Sequence, residues 1–211
     1  MSITVINPNS NEAVTEGLRD TLTGFPNVTC LTLTEGPFGI ESQRDSDAVI
    51  LPMLDLMKAT PEASAFVIAC YSDPGLDAAR SVSSVPVFGI QEAGLATALC
   101  RADMFGVIAI GEPSILRHRK YMRRMGVLER LAGERALNMS VDETARGANT
   151  FNRLKAVGAD LIADGAGCLI LGCAGMARHR APLEKHLAVP VIDPTQAAVT
   201  LAHGTLVASS L

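Results

Sequence analysis

The sequence predicts an α/β protein of two pseudo-symmetric lobes, each a mostly parallel sheet flanked by helices, with the active site between them. Two short aliphatic runs without charge each end in a cysteine, Cys70 and Cys173, 103 residues apart. Such runs, bounded by turn residues, are typical of strands buried on both faces of a parallel sheet. Two Val-Pro-Val segments, at Val85 and Val189, repeat with nearly the same offset, 104 residues. The agreement indicates an internal repeat.

The repeat also predicts where the lobes begin and end. We expect the first lobe to contain residues 1–94 plus 195–211, and the second to contain residues 95–194. The first strand, Ile3–Ile6, corresponds to the apolar run Phe105–Ile110 at the start of the second lobe. A closing helix, with its apolar residues at helical spacing, is expected to pack back onto the first lobe.

Length, composition and net charge indicate what kind of protein this is and which partners it is expected to bind. The chain has 211 residues, 48% of them hydrophobic, with a net charge of −4. This length supports a sizeable core, and the mild negative charge argues against nucleic acid or an anionic membrane as the main partner. No run reaches the roughly 18 apolar residues of a membrane helix, and no basic leader opens the chain. We therefore expect a soluble cytoplasmic protein that acts on a small molecule.

The first lobe has strand and helix signals in alternation. A turn at residues 7–11 leads into a helix, and residues 28–33 form a strand in which Cys30 is a core residue. Residues 35–43 form a long loop, either a binding loop or a plain connector. Pro52 places the start of the next helix late or kinks it. After Cys70, Asp73 is expected to cap a helix with Pro74 in its first position.

The second lobe continues this pattern. Residues 112–124 form a helix with a dense basic face, which we interpret as a solvated or subunit-facing surface rather than a substrate contact. Residues 136–141 are expected to be a short strand. A long helix follows, with an apolar stripe of Phe151, Leu154, Val157 and Leu161.

Several common chemistries lack their sequence signals. The four histidines show no metal-binding spacing, and Cys168 and Cys173 lie within one strand-turn unit, so no metal is predicted. No Walker loop and no glycine-rich dinucleotide motif is present, so no cofactor is predicted. Five cysteines, an odd number and mostly within apolar runs, indicate reduced thiols.

Two thiols on opposite sides of a site could remove a proton from one face of a carbon acid and return one to the other face. That reaction is racemisation. The base must be a thiolate, and the ordinary cysteine pKa of about 8.5 is lowered beside helix N-termini. Because turns follow both Cys70 and Cys173, we expect their backbone N–H groups to stabilise thiolate and bound oxyanion. The alternative is that both are buried core cysteines.

The motifs around these cysteines resemble a known family. Segments 7–10, 36–42, 69–76 and 171–176 look like those of hydantoin racemases of the aspartate/glutamate racemase superfamily. The resemblance implies two α/β lobes, a cofactor-independent mechanism with Cys70 and Cys173 as the two bases, and oligomers. It implies 5-substituted hydantoins or the ureide allantoin as substrates. It also implies a substrate-binding set of Asn9, Ser10, Ser72, Ala174 and Gly175.

The chain departs from glutamate racemases, which are expected to have an aspartate in the first turn and a Thr-His pair after the second cysteine. Here Asn7-Pro-Asn stands in that turn and Ala174 follows Cys173, so free amino acids are less expected as substrates. Tyr71 and Ser72 stand where many hydantoin racemases have Phe-Gly, which bears on the 5-substituent. The alternatives are a superfamily decarboxylase or cis-trans isomerase, a non-catalytic binder of small heterocycles, and a redox pair of Cys70 with Cys173.

Overall fold

The computed structural model describes residues 1–209, and within them the strands form two four-stranded parallel sheets with the same strand order. The first sheet has the order β2-β1-β3-β4 and the second the order β6-β5-β7-β8. The strands are β1 (Ile3–Asn7), β2 (Val28–Thr32), β3 (Ala65–Ile68), β4 (Val87–Gly89), β5 (Phe105–Ala109), β6 (Leu131–Ala136), β7 (Cys168–Gly172) and β8 (Val191–Ile192). This arrangement confirms the predicted fold class.

Ten α-helices lie within residues 1–209, and they flank these sheets. They are α1 (Glu12–Thr21), α2 (Gln43–Ala48), α3 (Ile50–Lys58), α4 (Leu76–Val82), α5 (Ile90–Leu99), α6 (Glu112–Met125), α7 (Val141–Arg146), α8 (Thr150–Ala163), α9 (Arg180–Leu187) and α10 (Pro194–Ala208). Two 3-10 helices, Leu128–Arg130 and Ala174–His179, complete the set. No described helix is long and apolar enough to cross a membrane.

The repeat extends to the pairing of the central strands. Ile3 of β1 pairs with Ala65 of β3, and Phe105 of β5 pairs with Cys168 of β7 in the equivalent register. All residues of these four strands are buried, as expected for strands covered on both faces. Because β3 and β7 occupy the same place in their sheets, the turns that follow them lie at equivalent positions.

Helices α5 and α10 lie between the two sheets. Helix α10 packs against α5 and against strands of both sheets, β3 and β4 in the first and β7 in the second. The predicted lobe boundary at residues 94 and 95 falls within α5. That boundary stays a prediction, and residues 210 and 211 of the first lobe as predicted lie outside the described residues.

Several predicted elements match the structure. Pro52 is the third residue of α3, so it lies in the first turn, where a missing N–H is tolerated. Cys30 is buried in the core, 6% exposed. The long helix is α8, with Leu154, Val157 and Leu161 buried.

Three other predictions are wrong. Helix α4 does not start at Asp73 and Pro74: it begins at Leu76 after Gly75, whose φ of 65° no other residue type adopts as readily. The strand expected at residues 136–141 is β6, five residues earlier. Its sequence, Leu-Ala-Gly-Glu-Arg-Ala, has no β-branched residue, which hid it from a propensity argument. The sequence around Cys100 also predicts a packed thiol, but Cys100 follows α5 and is exposed.

Candidate functional site

A cavity lies where the carboxyl ends of the two sheets meet, the usual place for ligands in open α/β sheets. Counted with the solvent at its mouth, the space between its lining atoms is about 390 Å³. Segments from both lobes form its wall: Asn9, Val14, Ile40, Ala69, Cys70, Tyr71, Ser72, Ile110, Ser114, Arg117, His118, Val141, Gly172, Cys173 and Ala174. The structure thus brings both predicted cysteines to one cavity.

Each cysteine follows a buried strand directly. Cys70 lies two residues after β3, and the backbone N–H of Ser72 donates to its sulfur. Cys173 follows β7, the backbone N–H of Gly175 donates to its sulfur, and Thr144 Oγ1 lies 3.7 Å from that sulfur. Equivalent strand ends therefore present the two thiols with similar backbone donors.

Burial, however, raises the pKa of both thiols, whereas the sequence predicts that backbone N–H groups lower it. Burial raises the pKa of Cys70 to about 12, and the N–H of Ser72 offsets this only in part. Burial also raises the pKa of Cys173 above its ordinary value, against the N–H of Gly175. The prediction that helix starts lower these pKa values is wrong for the site without a ligand, because loss of water around the charged form outweighs the backbone donors.

The first turn of the chain holds Asn9 through an asparagine network. Asn9 Oδ1 accepts hydrogen bonds from Asn7 Nδ2, at 3.1 Å, and from the backbone N–H of Asn11, at 3.0 Å. Asn9 lines the cavity, and no hydrogen bond involves its Nδ2 among the described residues. Ser10, by contrast, is not part of the cavity wall, and its backbone N–H donates to the carbonyl of Pro37.

The other predicted binding residues divide in the same way. Ser72 and Ala174 line the cavity. Gly175 does not, but its N–H reaches the sulfur of Cys173. A Cβ at Gly175 would lie 2.9 Å from Thr144 Oγ1, so the close approach requires glycine.

The long loop at residues 35–43 covers one side of the cavity and is tied to the second lobe. Ile40 contributes to the cavity wall. Glu41 Oε1 accepts from the backbone N–H of Val141 at 3.0 Å, and the Glu41 carbonyl accepts from Arg117 Nη1 at 3.2 Å. Arg117 Nε also donates to Ser72 Oγ at 3.3 Å. The loop is therefore a wall of the site, which favours the binding-loop alternative over a plain connector.

The sequence argument missed the contribution of α6. Ser114, Arg117 and His118 lie on the face of α6 that lines the cavity, although the helix was interpreted as a surface element. Their spacing of three and four residues is the helical one, but it does not distinguish a binding face from an ordinary buried face. Among the described residues, no group of three or more His, Cys, Asp or Glu side chains could hold a metal ion.

Comparison with known proteins identifies the family. The sequence profile described as Asp/Glu/Hydantoin racemase matches residues 3–202. The chain belongs to the Asp/Glu/Hydantoin racemase family. The resemblance stated from the motifs is thus confirmed, and with it the isomerase class of enzyme.

Individual members of this racemase family are similar over nearly the whole chain. A hydantoin racemase of Paenarthrobacter aurescens is 34% identical, covering 96% of this chain and 89% of the relative. An allantoin racemase structure from Klebsiella pneumoniae superposes with a TM-score of 0.92 at 30% identity, covering 100% of this chain and 89% of that one. Allantoin racemase from Pseudomonas fluorescens gives a TM-score of 0.91 at 26% identity, with 100% and 92% covered.

Proposed function

We propose that this protein racemises 5-substituted hydantoins or allantoin, with Cys70 and Cys173 as the two bases and no cofactor. The observation that carries the proposal is that two thiols from equivalent strand ends of the two lobes line one cavity. A planar ring between them would expose opposite faces of its acidic carbon to the two sulfurs. The similarity to hydantoin and allantoin racemases supports this class of substrate.

The proton balance closes between the two side chains. One cysteine, as thiolate, removes the proton at C5 and becomes a thiol, while the C–H electron pair passes into the ring as an enolate. The opposite cysteine, as thiol, gives its proton to the other face of C5 and becomes a thiolate. The ring leaves with inverted configuration, and the enzyme has exchanged the roles of its two cysteines without gaining or losing a proton.

The reaction needs one cysteine as thiolate and the other as thiol, and repulsion between two thiolates favours this state. Negative charge on Cys173 raises the pKa of Cys70, in addition to the larger effect of burial. Two thiolates in one small cavity are therefore disfavoured, and the singly ionised pair is the favoured active form. A thiolate with a raised pKa is scarce near neutral pH, but it is a stronger base once formed.

Asn9, Ser72 and Ala174 are the proposed ring-binding residues that reach the cavity wall. Asn9 offers Nδ2, and the turn after Cys173 offers backbone N–H groups, both suited to ring carbonyl oxygens. Ser10 and Gly175 do not line the cavity, and we propose direct contact only for residues that do.

Hydrogen exchange in D2O tests the two-thiol mechanism. In a polarimetric screen of hydantoins and allantoin, the wild type should racemise at least one compound, and its product should carry deuterium while unreacted substrate initially does not. Cys70→Ser and Cys173→Ser should each abolish racemisation, because serine is far too weak a base without an activating partner. Each variant should still exchange deuterium into one enantiomer, and the two variants should choose opposite enantiomers.

Cys100→Ser is the matched control, since Cys100 is exposed and distant in sequence from both strand ends. It should racemise at the wild-type rate. Near-normal racemisation by either active-site variant, or exchange of the same enantiomer by both, would contradict the two-thiol proposal. The homo-oligomer and the cytoplasmic location expected from the sequence stay predictions.

A further inference from the structure

A buried polar pair borders the cavity, and the proton transfers between the two thiols do not require it. His118 of α6 lines the cavity, yet its side chain is only 2% exposed. Its Nδ1 lies 2.6 Å from Oε1 of Glu134, a residue of β6 whose side chain is fully buried. Burying a carboxylate and an imidazole together is costly unless both are paired, so their position beside the site calls for an explanation.

The surroundings fix the imidazole in one orientation. The Tyr71 ring meets the His118 ring edge to face, with centroids 4.9 Å apart and an interplanar angle of 86°. The His118 carbonyl accepts from Gln91 Nε2 at 3.1 Å, which ties this turn of α6 to α5. Glu134 holds Nδ1 from the third side. Two side chains thus contact the ring, and a third, Gln91, fixes the backbone of His118.

This orientation leaves one ring nitrogen without a partner. Nδ1 shares a hydrogen bond with Oε1 of Glu134, as ring nitrogens beside carboxylates commonly do. Within residues 1–209 no hydrogen bond involves Nε2 of His118, in a side chain more than nine-tenths buried that forms part of the cavity wall. Because His118 is part of the cavity wall, this unpaired nitrogen is available to a ligand that enters the cavity.

The charge on Glu134 favours a donor at Nε2. Its Oε2 has no hydrogen bond, and the guanidinium Nε of Arg119 lies 3.7 Å away on a side chain that is 42% exposed. A buried carboxylate with so little other compensation attracts an N–H donor at Nδ1, and the imidazole ring can carry a further N–H at Nε2. The short 2.6 Å separation is that of a charge-assisted bond.

We propose that His118, held by Glu134, donates a hydrogen bond from Nε2 to the substrate carbonyl oxygen on which enolate charge develops. The inference rests on the racemase function proposed above. When C5–H breaks and S–H forms, the released electron pair makes a C=C bond within the ring and places negative charge on that oxygen. The His118 proton stays on nitrogen throughout. When the opposite thiol reprotonates C5, the charge leaves the oxygen and the hydrogen bond weakens again.

Both enantiomers react through the same enolate, so a donor to the enolate oxygen affects the reaction of both. Loss of one cysteine, in contrast, affects proton exchange of one enantiomer only. His118→Gln should lower kcat about 10²- to 10³-fold, the usual loss for one oxyanion donor, with little change in KM. In D2O, deuterium exchange should fall by the same factor for both enantiomers in the wild-type background, and for the one enantiomer that each single-cysteine variant exchanges. Glu134→Gln, which keeps an acceptor but removes the charge, should show the same pattern with a smaller loss.

His186→Gln is the matched control, because His186 is exposed on α9. A purely structural role for the pair would lower the melting temperature while leaving kcat per folded enzyme unchanged, and that result would overturn the proposal. A loss confined to one enantiomer would overturn it as well. Restoration of activity to His118→Gly by added imidazole would support it.

Nitrogen NMR of the wild type separates this inference from the proposed function. On binding 5,5-dimethylhydantoin, which has no C5 proton, the Nε2 signal assigned by comparison with His118→Gln should shift, and the His186 signals should not. If the ring binds and shifts Nε2 but no hydantoin or allantoin is racemised, the proposed function fails, and of the inference only the hydrogen bond from His118 to the bound ring stands. If racemisation proceeds while His118→Gln is fully active, the function stands and the inference fails. A wild type that neither exchanges nor binds the ring overturns both.

Discussion

The carboxylate of Asp73 caps helix α5 from the space that a side chain at Gly89 would occupy. Asp73 accepts from the backbone N–H groups of Gln91 and Glu92, both at 2.9 Å. A Cβ built on Gly89 would collide with that carboxylate. In the second lobe, Asp193 stands 104 residues after Gly89 and caps α10 with its own side chain. The first lobe thus supplies from a distant loop the cap that the second lobe supplies locally.

This relationship predicts a transferable cap. Gly89→Asp should destabilise the protein by about 1 to 3 kcal/mol, as overpacking does, because its Cβ would collide with the carboxylate of Asp73. Asp73→Ala should cost about 1 kcal/mol through loss of the cap. The double variant Asp73→Ala/Gly89→Asp should be more stable than the sum of its two single changes, because the new Asp can cap α5 as Asp193 caps α10. Urea unfolding measures all four proteins, and strict additivity would contradict the exchange of roles.

The two capping carboxyls also predict how stability depends on pH. Burial raises the pKa of Asp73 to about 7 and that of Asp193 to about 6, above the value of about 3.9 for unfolded aspartate. The folded state therefore holds more protons between these values, so its stability falls as pH rises from about 4 to about 7. Each carboxyl contributes a slope of at most about 1.4 kcal/mol per pH unit.

Asp73→Asn keeps the shape but does not titrate, so its stability should fall less steeply with pH than that of the wild type. The exposed Asp77 and the partly exposed Asp142, whose pKa values neighbouring arginines lower, are common to both proteins and cancel in the comparison. Urea unfolding at pH 4.5, 6 and 7.5 gives the two curves. Parallel curves would show that Asp73 does not titrate in this range.

Cysteine accessibility predicts an order of alkylation. Cys100 is exposed, so iodoacetamide at pH 7.5 should modify it first, with no loss of racemisation. Cys70 and Cys173 should react slowly, because burial raises the pKa of both, and their rate should rise as pH approaches 9 or 10. That slow reaction should inactivate the enzyme, and substrate should protect it.

Mass spectrometry of Cys100→Ser isolates the slow phase. Inactivation that tracks modification of Cys30 or Cys168 would contradict the assignment. Both are buried, and burial raises the pKa of each to about 11.

The sequence led to the two thiols because each follows a strand in an internal repeat, and position in a repeat is visible without a structure. The acidity of Cys70 was not predictable in the same way. Backbone donors at a strand end can be expected from local sequence, but the loss of solvent depends on how closely two lobes meet. Loop 35–43 and α6 bring the lobes together through contacts between residues that are distant in sequence.

Long-range pairing hid the other missed features. Asp73 has the local signature of a cap for the helix that follows it, but it caps a helix 18 residues further on. The dense basic face of α6 predicts a surface helix, whereas the partner of His118, Glu134, lies on a strand whose sequence favours no strand. In both cases the local sequence pattern is present, but a contact with a residue far along the chain decides the structure.

The last prediction concerns Arg117, which joins the loop over the site to the second lobe. Arg117→Ala removes its bonds to Ser72 Oγ and to the Glu41 carbonyl. These bonds are partly exposed, so we expect a loss of about 1 kcal/mol, felt as local opening of loop 35–43 and not as global unfolding. That energy corresponds to about fivefold more opening. Chymotrypsin should therefore cut after Phe38, which is exposed, about fivefold faster than in the wild type.

Arg123→Ala is the matched control, because Arg123 is exposed on the same helix and makes no contact with the loop. Its cleavage rate should equal that of the wild type, and the melting temperature of both variants should stay within a few degrees of it.

Chymotrypsin also reports ligand binding: if the loop closes over the ring, a hydantoin that binds should slow the cut after Phe38 in the wild type. It should slow that cut less in Arg117→Ala, because the open loop must first be ordered. Equal cleavage of Arg117→Ala and wild type would show that Glu41 and Val141 alone hold the loop in place.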